Sequence, residues 1–129
     1  MCECINCGRP ARDKHHCVFR SKVKALTKCP KNIVDLCGEC HYDIHHRAKS
    51  NIDIKMKLRF QNYLEESWLK NELTYEEIKD TLKISDANVR RILKTCTLKN
   101  GYYQREEVIR ECMGGRLYTL EDFNRGEKV

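Results

Sequence analysis

Two Cys-x-x-Cys pairs, Cys4 with Cys7 and Cys37 with Cys40, constrain this 129-residue chain more than any other feature. Each turn offers two thiolates about one tetrahedral edge apart, and two such turns complete a four-cysteine zinc site. The total of nine cysteines is odd, which argues against a purely disulfide framework. Paired spacings of this kind read better as zinc ligands in a reducing compartment. A redox pair or an iron–sulfur cluster is disfavoured, because nothing else in the chain resembles an oxidoreductase. Cys2, Cys17, Cys29, Cys96 and Cys112 remain, and read as bland, mostly buried thiols, since free cysteine behaves as a small hydrophobe.

A hydrophobic content of 40% with 34% charged residues excludes a disordered chain and implies one domain or two very small ones. No apolar run approaches the length of a membrane span, so no membrane partner is expected. Met1-Cys2-Glu3-Cys4 is neither basic nor apolar, so no secretory signal is expected either and a cytoplasmic location follows. The net charge of +6 is unevenly placed. Residues 1–60 carry 13 Lys and Arg against 6 Asp and Glu, while residues 61–129 carry 12 against 13. The basic half is the half with the metal motifs, which points to a polyanionic partner, nucleic acid first.

Both prolines, Pro10 and Pro30, fall in the first 40 residues, whereas residues 48–113 hold no proline and only Gly101. Residues 1–50 therefore read as turn-rich: a knuckle, a short strand or hairpin around Cys17-Val18-Phe19, a loop through Pro30, then a helix from about Gly38 to Lys49. A core this small is marginal unless a metal constrains it. In residues 51–73, Ile52, Ile54, Met56, Leu58 and Phe60 alternate as in a strand. The helical stripe Ile52, Met56, Phe60, Tyr63 and Leu64, continued by Trp68, Leu69 and Leu73, predicts one long connecting helix instead. Residues 74–129 read as a helical region. Thr74 and Glu77 make a capping box, and Ser85 caps a second helix with Val89, Ile92 and Leu93 inward. Two short helices joined at Lys83-Ile84-Ser85 give a helix-turn-helix over 74–95. A further helix over 104–113 ends at Gly114-Gly115.

All five histidines lie between residues 15 and 46. On a helix, His41 and His45 stand one turn apart, where two imidazoles can share a metal. His15 and His16 are adjacent, so on a strand they point to opposite sides and have different jobs. His46 lies off the His41/His45 face and reads as a surface or phosphate-contacting residue.

The run Asp13-Lys14-His15-His16-Cys17-Val18-Phe19-Arg20-Ser21, then Asn32, then Cys37-x2-Cys40-His41-x3-His45, resembles the HNH endonucleases. The likeness is to the small zinc-knuckle members found in phages and prophages, and it covers residues 4 to 46. It implies an α+β fold: a ββα-metal finger with the four-cysteine knuckle in residues 1–50, followed by the helical region. By the resemblance His16 is the general base, a role suited to an imidazole. His15, His41 and His45 match the positions that hold a catalytic divalent ion, magnesium or manganese, and Asn32 braces the loop that presents His16. Arg20 and Lys22 follow the base as candidate phosphate contacts. Many relatives have apolar residues and proline after the base, where this chain has Cys17-Val18-Phe19.

The stretch Leu73 to Leu93 resembles a DNA-binding helix-turn-helix, with Asp86, Asn88, Arg90 and Arg91 on the outer face of its second helix. The near-neutral charge of residues 61–129 leaves open a hairpin used only for packing or dimerisation. Two functions follow. One is a metal-dependent DNA endonuclease, a monomer if it nicks and a dimer if it cuts both strands, acting in the host cytoplasm if phage-encoded. The other is a non-enzymatic, zinc-dependent DNA-binding or regulatory protein. The second leaves the spacing of the histidines and Asn32 unexplained.

Overall fold

A computed structural model describes residues 2–47 and 51–124. It is an α+β structure. Strand β1 (Asp13–His16) pairs antiparallel with β2 (Ile33–Leu36), with His15 opposite Val34 and His16 opposite Ile33. Helix α1 (Gly38–His46) follows β2 directly. The predicted strand around Cys17-Val18-Phe19 ends earlier, at His16. Cys17 and Val18 turn inward and are buried, and their backbone N–H groups go to Asn32: Cys17 N to its carbonyl at 2.7 Å and Val18 N to its Oδ1 at 2.8 Å. The long connection to β2 is gathered by two 3₁₀ turns, Lys24–Leu26 and Pro30–Asn32.

Helix α1 begins where expected because Cys37 is its N-cap, its sulfur accepting from Cys40 N at 3.4 Å. It ends at His46 rather than near Lys49, and Lys49 lies outside the described residues. Helix α2 (Ile52–Ser67) also stops short of the predicted residue 73. Glu72–Leu73 instead form strand β3, and Trp68 turns into the core, its indole N–H donating to Thr81 Oγ1 at 2.9 Å. Arg105 holds the exposed end of α2, donating to the carbonyls of Glu65 and Trp68. Nor is α2 a mere connector. Ile52, Ile54, Met56, Phe60 and Leu64 are all buried, because neighbours pack on several sides of it. That explains the ambiguous periodicity of its sequence.

The capping box at Thr74/Glu77 opens α3 (Tyr75–Leu82), and Ser85 accepts from Asn88 N to open α4 (Asp86–Leu93). Lys83 between them is left-handed, at φ 54°. Strands β4 (Leu98–Lys99) and β5 (Tyr102–Gln104) form a hairpin, and β3 completes a sheet of order β3–β5–β4. The hairpin turn is Asn100-Gly101, with φ values of 53° and 85°. Two successive positive φ angles define the type I′ turn, for which Asn-Gly is the favoured pair. Helix α5 (Arg105–Cys112) ends at Gly114-Gly115, and α6 (Leu120–Asn124) closes the described chain.

The sequence marks three regions, 1–50, 51–73 and 74–129. The buried side chains of the described residues form one cluster running from Cys4 to Tyr118. Gln61 on α2 clamps Tyr118 through both its backbone groups, at 2.8 and 2.9 Å. Cys17, Cys29 and Cys112 are buried, and burial pushes the Cys17 thiol up to about 12 and that of Cys112 well above its ordinary value. They are packing residues, as expected. Among the described residues no helix is long and apolar enough to cross a membrane.

Candidate functional site

The knuckle at the chain's start and the N-terminal turn of α1 bring Cys4, Cys7, Cys37 and Cys40 together, their sulfurs all within 4.8 Å of one another. The Cys7 and Cys37 sulfurs are 3.6 Å apart. Asn6 Nδ2 donates to Cys40 Sγ at 3.3 Å, while Lys55 on α2 donates to Asn6 Oδ1 at 2.8 Å. Burial pushes the Cys4 thiol up, but the peptide groups of Cys37, Cys7 and Asn6 outweigh it and bring it down to about 6. Cys40 is pushed up to about 12, burial again leading. Four such thiols cannot ionise together without a cation among them, and a structural metal such as zinc fits this donor set.

A second cluster lies on the same helix. Ring nitrogens of His15, His41 and His45 fall within 4.8 Å of one another. His15 comes from β1, and its ring centroid lies 5.3 Å from that of His41 and 5.8 Å from that of His45. It is only 4% exposed, and its Nε2 has no hydrogen-bond partner among the described residues. An orphaned buried nitrogen costs about 1–3 kcal/mol, a cost that metal ligation removes. Burial, and then the charges of His41 and His45, bring the His15 pKa down to about 4, so its lone pair stays available. His45 is also lowered, chiefly by burial. The donor set therefore fits a divalent ion, with room for water or substrate beside three protein ligands.

Asp13 completes this arrangement, and sequence reasoning assigned it no role. Its Oδ2 lies 3.0 Å from His41 Nδ1. A carboxylate there accepts a hydrogen bond from Nδ1–H, which leaves Nε2 free for a metal. That bond, with help from Arg12, holds the Asp13 carboxyl below the usual range. The available signal was strand alternation, since Asp13 and His15 share a face of β1. Lys57 and Asp53 on α2 were also missed. Buried Lys57 pairs with Asp53, and its Nζ lies 4.0 Å from the centre of the Phe19 ring. Phe19 in turn packs on His15 and His45 at 5.7 and 5.8 Å. Nothing local in the sequence marks that contact.

His16 stands apart from the three-histidine cluster, as alternation required, yet lines the same cleft of about 410 Å³ with His15, His41, His45, Phe19 and Arg20. Its Nε2 lies 2.9 Å from the Thr27 carbonyl. A carbonyl only accepts, so Nε2 carries the proton and Nδ1 carries the lone pair. Asn32 is fully buried and holds this loop: besides accepting from Val18 N, its Nδ2 donates to Val18 O and Leu26 O, each at 3.2 Å. It braces the residue next to Thr27 and is sealed from any substrate.

Arg20 and Lys22 are exposed, Arg20 at the histidine cleft and Lys22 in a neighbouring one that it shares with Arg91. Arg90 and Arg91 are exposed on α4, while Asn88 is half-buried and accepts from Arg91 at 3.4 Å. A cleft of about 730 Å³ between β2 and α2 has no histidine or cysteine in its lining. Donor chemistry, not size, distinguishes the candidate site. Comparison with family models, with curated proteins and with solved structures found no match.

Proposed function

We propose that this chain is a metal-dependent DNA endonuclease of the HNH kind, built on a ββα-metal finger and guided by the α3–α4 helix-turn-helix. One observation carries the reading. The orphaned Nε2 of His15 converges with His41 and His45, and the cleft they line also holds a histidine whose tautomer a backbone carbonyl dictates. A purely structural role for the histidines accounts for neither.

In this mechanism His16 Nδ1 takes a proton from the attacking water while Thr27 O keeps the other nitrogen protonated. His15, His41 and His45 would hold a divalent ion, with Asp13 orienting His41. Bound there, such an ion would supply Lewis-acid stabilisation of the charge that develops during phosphodiester hydrolysis. Arg20 contacts a phosphate beside the scissile one. Cleavage leaves 5′-phosphate and 3′-hydroxyl ends. A zinc ion held by the four cysteines would anchor the first turn of α1 and so the helix that carries His41 and His45.

Incubation with supercoiled plasmid and magnesium or manganese tests the proposal. Open-circular product indicates nicking and linear product double-strand cutting. His16→Ala should lose ~10²–10⁴ in rate, the usual worth of a general base, while keeping its fold and its divalent-ion binding. If the wild type leaves plasmid intact with either ion, or if His16→Ala cuts at the wild-type rate, the nuclease reading falls. Binding without cutting would favour the zinc-dependent DNA-binding protein.

A further inference from the structure

The near-neutral balance of residues 61–129 hides a local concentration of positive charge. Between Lys83 and Tyr102 the chain carries Lys83, Arg90, Arg91, Lys94 and Lys99 against the single acid Asp86. Asp86 is already occupied, accepting from Lys79 Nζ at 2.8 Å and from Tyr75 OH at 2.7 Å. Arg90, Lys94 and Lys99 are exposed and make no ion pair with another described residue. The acids of this half sit mainly on other elements, including α3 and α5.

Topology sets the β4–β5 hairpin beside those cations. Helices α3 and α4 are inserted between β3 and β4, and β5 pairs with both strands, so the hairpin folds back alongside the helix pair. Tyr103 of β5 lines one surface cleft with Arg90 and Arg91 of α4 and with Lys94 just beyond it. The base of the hairpin is pinned, with Thr97 N donating to Glu107 Oε1 at 2.8 Å. Its free end is not explained by packing. Leu98 is 57% exposed and Tyr102 40%, and Lys99 sits next to the tight Asn100-Gly101 turn. On its opposite flank α4 packs on the 3₁₀ turn Lys24–Leu26, where Arg91 shares a cleft with Lys22 and Lys24. Lys22 lies two residues beyond Arg20 of the histidine cleft. Arg91 thus lines both clefts, one with Tyr103 of the hairpin and the other with Lys22, Lys24 and the single acid Glu111.

We infer that one DNA duplex lies along a track through these clefts and that the β4–β5 hairpin is its far contact, a wing beside the helix-turn-helix. Lys99 meets a phosphate there, Tyr102 rests against the sugar edge, and α4 addresses the groove between hairpin and cleft. The inference rests on the DNA-binding reading of α3–α4. It adds a second contact element, and it makes the binding unit continuous with the cutting site rather than tethered to it. A duplex held at both ends of the track meets the histidine cleft in one register.

The test uses the full chain carrying His16→Ala, so that DNA survives, with a fluorescein-labelled duplex of mixed sequence read by anisotropy across a salt series. Lys99→Ala should weaken binding roughly three- to tenfold and reduce the slope of log affinity against log salt by about 0.9, the value of one phosphate contact. Lys99→Arg should restore both. An unchanged slope for Lys99→Ala, with a reduced one for Arg90→Ala, overturns the hairpin contact and leaves the helix-turn-helix standing. Equal losses in Lys99→Ala and Lys99→Arg also overturn it, since the loss would then not follow the charge. No salt-dependent binding by the parent protein overturns this inference and the reading beneath it together.

Discussion

Replacing Asn32 by alanine removes a side chain that touches nothing outside the protein, yet it should cost both stability and activity. The amide makes three hydrogen bonds at a fully buried position, one to Val18 N, one to Val18 O and one to Leu26 O. Leu26 O keeps a second partner in Cys29 N at 3.1 Å, so two groups of Val18 are left without their Asn32 bonds. At about 1–3 kcal/mol for each buried polar group left unpaired, the loss for two is about 2–6 kcal/mol, centred on about 4 kcal/mol. That is a large part of a total stability of about 5–15 kcal/mol. For a chain of this size each kcal/mol shifts the melting temperature by about 3–5 °C, so the midpoint should drop by about 10–20 °C in circular dichroism with zinc present. Plasmid cleavage per folded molecule should fall as well, measured well below the new midpoint, because Leu26 precedes the Thr27 carbonyl that holds His16. A midpoint within about 2 °C of wild type would refute the bracing role. A lowered midpoint with unchanged cleavage would refute its connection to His16.

Serine is itself a good helix N-cap, so Cys37→Ser can keep the bond to Cys40 N while losing a thiolate. Its expected loss of folding and of about one bound zinc per chain, read by metal analysis, therefore reports the metal and not the cap; a well-folded, zinc-free variant would sink the zinc assignment. His15→Ala, His41→Ala and His45→Ala should each weaken divalent-ion binding, with cleavage partly recovered at high metal concentration. Asp13→Asn should weaken it about 10- to 100-fold through the orientation of His41; titration calorimetry showing wild-type affinity in all four would remove the metal site. Arg90→Ala with Arg91→Ala should lower DNA affinity and flatten its salt dependence, whereas an unchanged slope would favour a helical pair used only for packing.

The features legible in the sequence are those written in short spacings. Two CxxC turns, histidines one helical turn apart, adjacent histidines forced to opposite sides of a strand, and serine or threonine caps all depend on bond geometry within a few residues. The four-cysteine cluster, the convergence of His41 and His45, the separate placement of His16 and the starts of α1, α3 and α4 followed from them. Asn32 was readable only through a resemblance, since its burial depends on where the 17–32 loop closes. Tertiary structure decided what distance along the chain conceals. Helix α2 has the periodicity to reach Leu73, but pairing of β3 with β5, thirty residues later, ends it at Ser67. The carboxylate of Asp13 finds His41 only because β1 and β2 deliver α1 against it. Lys57 reaches Phe19 only through the packing of α2 on that layer. The buried side chains of all three regions share one cluster for the same reason. Each apolar face is encoded locally, but its partner is chosen by whichever surfaces, close or remote in sequence, bury the most area together while leaving no buried polar group unpaired.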